Sequence, residues 1–265
     1  MPYEQDNDPE LSSVIIINGG IQKHNFYDSG DVDWVKFYGI EGEDYEIEVN
    51  NMGTNSDVAI ELYRADNLTK PLEEINDGET GEYELLSWLC PGNDIYYLKI
   101  TNVAGSFGKN TEYELTVSYP EAPPDKRMTG IVSNVCSGEL IKDVRIHSTS
   151  GNGSAISMEN GNYEMLFVSE NGTYDVTTET DDYEIFTDSG SLESGDVVIQ
   201  NITMTPIIEN DDLSLLHAIA SLKIVINMEL ENQYIDRVPD IDCDGKIGLP
   251  EVIYILEKLA TDIDT

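Results

Sequence analysis

Residues 240–251 read Asp-Ile-Asp-Cys-Asp-Gly-Lys-Ile-Gly-Leu-Pro-Glu. Asp240, Asp242 and Asp244 fall on alternate residues, Gly245 follows, and Glu251 stands at the twelfth position. Three short carboxylates spaced this way converge on one side of a tight turn, and the glycine lets the chain turn sharply. Calcium is a hard cation that takes about six to eight oxygens at roughly 2.3–2.6 Å, so the spacing predicts a calcium loop. Lys246 offers its backbone carbonyl, Gly248 has no side chain and implies a water, and Glu251 closes the shell with both oxygens. Cys243 lies inside the loop at the fourth position, where side chains point away from the ion, and is read as incidental.

Pro239 immediately before the loop disfavours helix at Val238, so the loop is entered from extended chain. It is left by a helix over about 249–259, with Pro250 in its first turn and Val252, Ile253, Leu256 and Leu259 at helical spacing. A second helical pattern runs over 213–225, where Leu215, Leu216, Ile219, Leu222 and Val225 share one face; the two helices are expected to cover each other. The last fifth of the chain, most specifically GKIGLPEVIYILEKLA, resembles the dockerin family, whose modules pair two loop-helix repeats around calcium. The family implies pairing with a cohesin. Here the segment PIIENDDLSLL lacks the alternate carboxylates, so one EF-hand-type loop and one ion are expected. His217 stands at what would be that first loop's closing position and is read as a surface or half-buried histidine.

The chain has 265 residues, enough for two or three domains, and a formal net charge of −38. That charge repels nucleic-acid phosphates and anionic membranes, so neither is an expected partner. Calcium sites, a saline habitat and plain solubility all remain open as its meaning. Cys90, Cys136 and Cys243 fall in separate regions with no CxxC spacing, so no disulfide framework is expected. The first thirteen residues have neither the basic start nor the apolar core of a signal peptide, and no apolar run approaches a membrane span. An extracellular or cell-surface fragment of a longer protein is the expectation.

Between residues 14 and 119, short runs of Val, Ile, Tyr and Thr alternate with polar residues and are broken by Gly, Asn and Asp. This predicts antiparallel strands over about 14–17, 34–38, 44–50, 58–63, 83–89, 95–101 and 113–119. The carriers Tyr3-Glu4, HNF at 24–26, SGDVDWVKF at 29–37, the pair Tyr96-Tyr97 and TEYEL at 111–115 resemble the bacterial pre-peptidase C-terminal domain, a jelly-roll-like β-sandwich of secreted proteases and collagenases. The resemblance covers residues 1–119. It implies that an acidic N-terminal arm and an aspartate loop share calcium, through Glu4, Asp6, Asp8, Asp31 and Asp33.

Pro120, Pro123 and Pro124 predict a stiff linker over 120–126. Residues 127–206 carry strands over about 129–135, 143–148, 162–167, 173–178 and 197–204, with Asn160-Gly161 and Asn171-Gly172 as hairpin turns. In order and turn chemistry this stretch resembles the carboxypeptidase regulatory-like domain, a small transthyretin-like sandwich with no catalytic residues of its own. The tail at 207–265 completes a mainly β chain with a small α-helical end. Neither HExxH, GxSxG, a Walker loop nor GxGxxG occurs. The expected function is therefore a non-catalytic, calcium-binding module string, the appendage of a secreted hydrolase or surface protein, with a cohesin-like protein or an extracellular polymer as partner. A purely structural stalk and a hydrolase with an unrecognised site remain as alternatives.

Overall fold

The computed structural model of the chain describes residues 5–50, 52–120, 126–149, 153–167, 172–191, 197–207, 214–226, 240, 243 and 246–261. Glu4, Asp242, Asp244 and the linker prolines Pro123 and Pro124 lie outside the described residues. Strands follow in the order β1 (Ser13–Val14), β2 (Gln22–Asn25), β3 (Val32–Gly39), β4 (Asp44–Asn50), β5 (Val58–Arg64), β6 (Glu73–Ile75), β7 (Glu84–Leu89), β8 (Asp94–Asn102) and β9 (Glu112–Ser118). They continue as β10 (Lys126–Asn134), β11 (Arg145–His147), β12 (Ser154–Ile156), β13 (Asn162–Phe167), β14 (Thr173–Glu179), β15 (Thr187–Ser191), β16 (Val197–Ile199) and β17 (Ile202–Met204). Two helices close the chain, α1 (Leu215–Val225) and α2 (Leu249–Thr261). The fold is mainly β with a small helical tail, and before residue 214 the described residues hold only a short 3₁₀ turn, Pro9–Leu11. The chain forms two compact units, one of residues 1–132, 141–179 and 186–202, the other of 133–140, 180–185 and 203–265.

In the first unit, a sheet ordered β1-β3-β8-β5-β6 faces a sheet ordered β2-β9-β4-β7. Period-two alternation decides what lies between them. Tyr45, Ile47 and Val49 of β4 and Tyr113, Leu115 and Val117 of β9 all point inward and are buried, while their neighbours face out. Phe37 meets Tyr45 at a ring separation of 5.4 Å, and Trp88 meets Tyr96 edge-on at 4.6 Å. Such contacts add about 0.5–1.5 kcal/mol each beyond area burial. Tyr96 is thus core, and only half-buried Tyr97 of the tyrosine pair approaches the surface.

Strand β3 breaks the alternation because both its faces are covered. Val35 and Phe37 enter the core, while Lys36 and Tyr38 on the opposite face meet the second sandwich. Lys36 Nζ donates to Asp143 at 2.5 Å, Tyr38 donates to Glu179 at 2.8 Å, and Ser154 Oγ donates to the Tyr38 carbonyl at 2.6 Å. The second sandwich sets β13-β10-β16 against β12-β11-β14-β15 around Met128, Val144, Ile146, Met165, Phe167 and Val176. Gly130 is required there, since a Cβ would stand 1.8 Å from the Gln200 carbonyl.

In the second unit, α1 packs on α2 through Ala218 and Ile255, with Tyr254 and Leu259 against them. The inward face of α1 is the small one, His217, Ala218, Ala220 and Ser221. Leu215, Leu216, Ile219 and Leu222, expected at the helix interface, are exposed instead. Small residues let the two backbones approach closely, and periodicity alone does not say which of two stripes is buried. His217 is a capping residue, its Nδ1 accepting from the Ser214 N–H at 3.0 Å, and it is buried rather than at the surface.

The cysteine reading requires correction. Cys136 and Cys243 form a disulfide with their Cα atoms 4.9 Å apart. Cys243 has φ of +60°, in the left-handed region that a residue other than glycine seldom adopts. Cys90 remains a buried thiol.

Candidate metal centre

Three elements of the first sandwich converge at one end of its core. On β3, Asp33 has the inward parity of Val35 and Phe37. On β2, Gln22 and His24 take the inward positions, and His24 lies opposite Tyr113 of β9. The N-terminal segment reaches the same place because the Trp34 N–H donates to the Asp6 carbonyl at 2.9 Å and the Val32 N–H to Asn7 Oδ1 at 2.9 Å. Asp6, His24 and Asp33 are each nearly fully buried, and one donor atom from each lies within 4.8 Å of the others.

Asp33 and His24 are held from behind. The Tyr113 hydroxyl donates to Asp33 Oδ2 at 2.5 Å, and its ring stacks on His24 at 5.3 Å. Burial first, then the charge and hydrogen bond of Asp33, push the Tyr113 hydroxyl well above its ordinary pKa. Gln22 Nε2 donates to the Val14 carbonyl at 2.8 Å, which turns its Oε1 toward His24 Nε2 at 3.2 Å. Burial lowers His24 to about 4, so the ring is neutral at physiological pH. On the other side of the ring, His24 Nδ1 stands 3.8 Å from Asp6 Oδ2.

Of the five carboxylates expected to share calcium, Asp6 and Asp33 are brought together. Asp8 instead caps the 3₁₀ turn by accepting from the Glu10 N–H at 3.0 Å, and Asp31 accepts from the Tyr27 N–H. Glu4 lies outside the described residues. His24 is the member that sequence reasoning missed. Its signal is the placement of polar Gln22 and His24 at alternate positions of an extended segment. Calcium prefers an all-oxygen shell, and a nitrogen donor at the centre of this group does not fit that preference.

The tail loop has a different character. Asp240 is half-buried, Lys246 is exposed, and Glu251 at the head of α2 is fully buried. Glu251 Oε2 accepts from the Gly248 N–H at 2.6 Å, which draws the ninth and twelfth loop positions together. Asp242 and Asp244 lie outside the described residues. The donors available here are oxygens, and a buried carboxylate closing a glycine-containing turn fits calcium. Asn134 Oδ1 shapes the partner turn, accepting from the Cys136 N–H at 2.8 Å and the Ser137 N–H at 3.1 Å, and so presents Cys136 to Cys243.

No family model matches the chain, and no curated protein matches it. Solved structures do. The pre-peptidase C-terminal domain of a Bacillus anthracis collagenase is similar at 21% identity, over 42% of this chain and 99% of its own, with a TM-score of 0.32. A type II cohesin-X-dockerin complex from Acetivibrio cellulolyticus is similar at 18% identity, over 50% of this chain and 94% of its own, with a TM-score of 0.26. The pilus 2b backbone protein of group B streptococcus is similar at 12% identity, over 70% of this chain and 97% of its own, with a TM-score of 0.25. Among the described residues, no helix is long and apolar enough to cross a membrane.

Proposed function

We propose that this chain is a non-catalytic module string of an extracellular or cell-surface protein, whose tail is organised by calcium and serves attachment or partner binding. The observation that carries the reading is the Cys136–Cys243 disulfide set within a calcium-type loop. Disulfides persist in oxidising compartments, and this cross-link ties Cys243, the fourth residue of the loop, to Cys136. Asp240, Asp242, Asp244, the Lys246 carbonyl and Glu251 are the ligands assigned to the ion. A bound calcium neutralises carboxylates that otherwise repel one another as the loop closes. The exposed leucines and isoleucine of α1 are the surface a protein partner of cohesin type would use.

A structural stalk is a second reading, favoured by the Lys36–Asp143 and Tyr38–Glu179 contacts that fasten one sandwich to the next. Calorimetric titration of the chelated, oxidised full chain with calcium tests the first. Saturable binding at the tail, abolished by Glu251→Gln, is the expected result. Heats that are the same in Glu251→Gln and in the parent chain would remove the tail site.

A further inference from the structure

We infer that Asp6, His24 and Asp33 form a site for a borderline divalent cation of the zinc class, which clasps the N-terminal segment to the end of the first sandwich. The site is independent of the calcium reading of the tail, because no residue is shared.

The donor set comes first. Two carboxylates and one imidazole, all nearly fully buried, suit zinc and its neighbours, whereas calcium favours oxygen alone. The orientation of the imidazole comes second and is a separate observation. A metal-bound histidine characteristically donates its other ring N–H to a carbonyl or carboxylate, which fixes the orientation of the ring. Gln22 does this for His24, and Gln22 is itself oriented by the Val14 carbonyl. The ring face is braced by Tyr113, which also orients Asp33. The distances come third. Zinc bonds of about 2.0–2.1 Å place tetrahedral donors about 3.3 Å apart. His24 Nδ1 and Asp6 Oδ2 stand at 3.8 Å, so a small rotation of either side chain completes that edge of the site. The three donors also come from three separate segments, the N-terminal arm, β2 and β3, so one ion ties all of them.

The remaining chemistry of the chain keeps the assignment clean. Of the three cysteines, Cys136 and Cys243 are in the disulfide and Cys90 is buried elsewhere, in the interior of the same sandwich, with its Sγ directed at the Gly92 carbonyl. Of the other two histidines, His217 Nδ1 is engaged at the start of α1, and His147 packs against Tyr38.

The experiment uses the full chain, oxidised and stripped with chelator, and titrates it with zinc chloride, cobalt chloride and calcium chloride separately. Zinc is expected to bind with one equivalent lost in His24→Gln and in Asp6→Asn, with affinity falling at least about 100-fold, while Gln22→Leu, a positioning change, weakens it about tenfold. Cobalt is expected to give visible absorption without a sulfur charge-transfer band, and the His24 ¹⁵Nδ1 resonance is expected to shift on zinc binding while Nε2 stays protonated. Calcium is expected to bind this site at least about 100-fold more weakly than zinc. Asp6→Asn sits on the arm outside both sheets, so it keeps the test valid if His24→Gln does not fold. Zinc binding unchanged in Asp6→Asn, zinc binding lost only in Glu251→Gln, or a protonated Nδ1 in the zinc-treated chain would each overturn the inference. Failure of the tail site appears separately, as loss of the calcium response that Glu251→Gln abolishes.

Discussion

Replacing Cys136 by serine leaves every residue of the 240–251 loop in place and removes only its covalent tether. The disulfide spans 107 residues, and in the chain-entropy treatment of a fully unfolded polypeptide a loop of that length is worth about 4.8 kcal/mol. The tail can also open while the second sandwich stays folded. Cys136 follows β10 by two residues, and the Val135 N–H donates to the Met204 carbonyl at 3.0 Å. The segment released is then the roughly 40 residues from Met204 to Cys243, and the same treatment gives about 3.9 kcal/mol. Hydrogen exchange of α2 amides in Cys136→Ser and in the parent chain, at saturating calcium, reads this difference directly. Protection should fall by up to about 700-fold, and reduction of the parent chain should reproduce the loss. Equal protection in oxidised, reduced and Cys136→Ser chains would refute the view that the disulfide holds the loop closed.

Three further outcomes follow from individual side chains. Calcium at a hundred times its dissociation constant should add about 2.7 kcal/mol to the stability of the parent tail and nothing measurable to Glu251→Gln, as read by chemical denaturation. In chelated protein, His24 titrates near 4 when folded and near its ordinary 6.5 when unfolded, so between these values the unfolded chain binds more protons. Stability should be complete above pH 6.5 and fall by about 3 kcal/mol as pH drops to 4, and His24→Gln should flatten that part of the profile; an unchanged slope would contradict the neutral ring. Asp143→Asn leaves the ammonium of buried Lys36 without its carboxylate and should cost about 1–2 kcal/mol, more than Lys36→Met with Asp143→Asn together; additivity in that cycle would deny the coupling.

Much of the β fold is legible in the sequence because its signal is local. Strands β4, β8 and β9 alternate strictly, and their predicted limits match those observed to within a residue or so. Strand β2 is missed for a physical reason. Its inward positions are Gln22 and His24, so the alternation that marks a strand is absent at the place where the metal-binding group sits. Edge strands β6 and β15 escape notice because Glu73, Glu74 and Asp188 carry no apolar face to betray them. The predicted strand over 197–204 is two strands, interrupted at Gln200-Asn201.

The sites divide along the same line. The tail loop proposed for calcium announces itself in the sequence because its candidate carboxylates lie within twelve consecutive residues. The Asp6–His24–Asp33 group is half legible, since the arm and the aspartate loop stand out by composition while the histidine joins them only through strand pairing across the sandwich. The Cys136–Cys243 pairing has no local signal at all, because the two cysteines meet only after the 133–140 turn and the tail fold together. On α1, two stripes compete, and the small one is buried because Ala218 admits Ile255 of α2 where a leucine would hold it off.

The account rests on calcium folding the tail, and amide protection of residues 249–259 in the full, oxidised chain tests it most directly. After chelation those amides should exchange freely, calcium should restore slow exchange, and a second addition of chelator should remove it. Protection that is the same before calcium, after calcium and after chelator would contradict the calcium-organised tail.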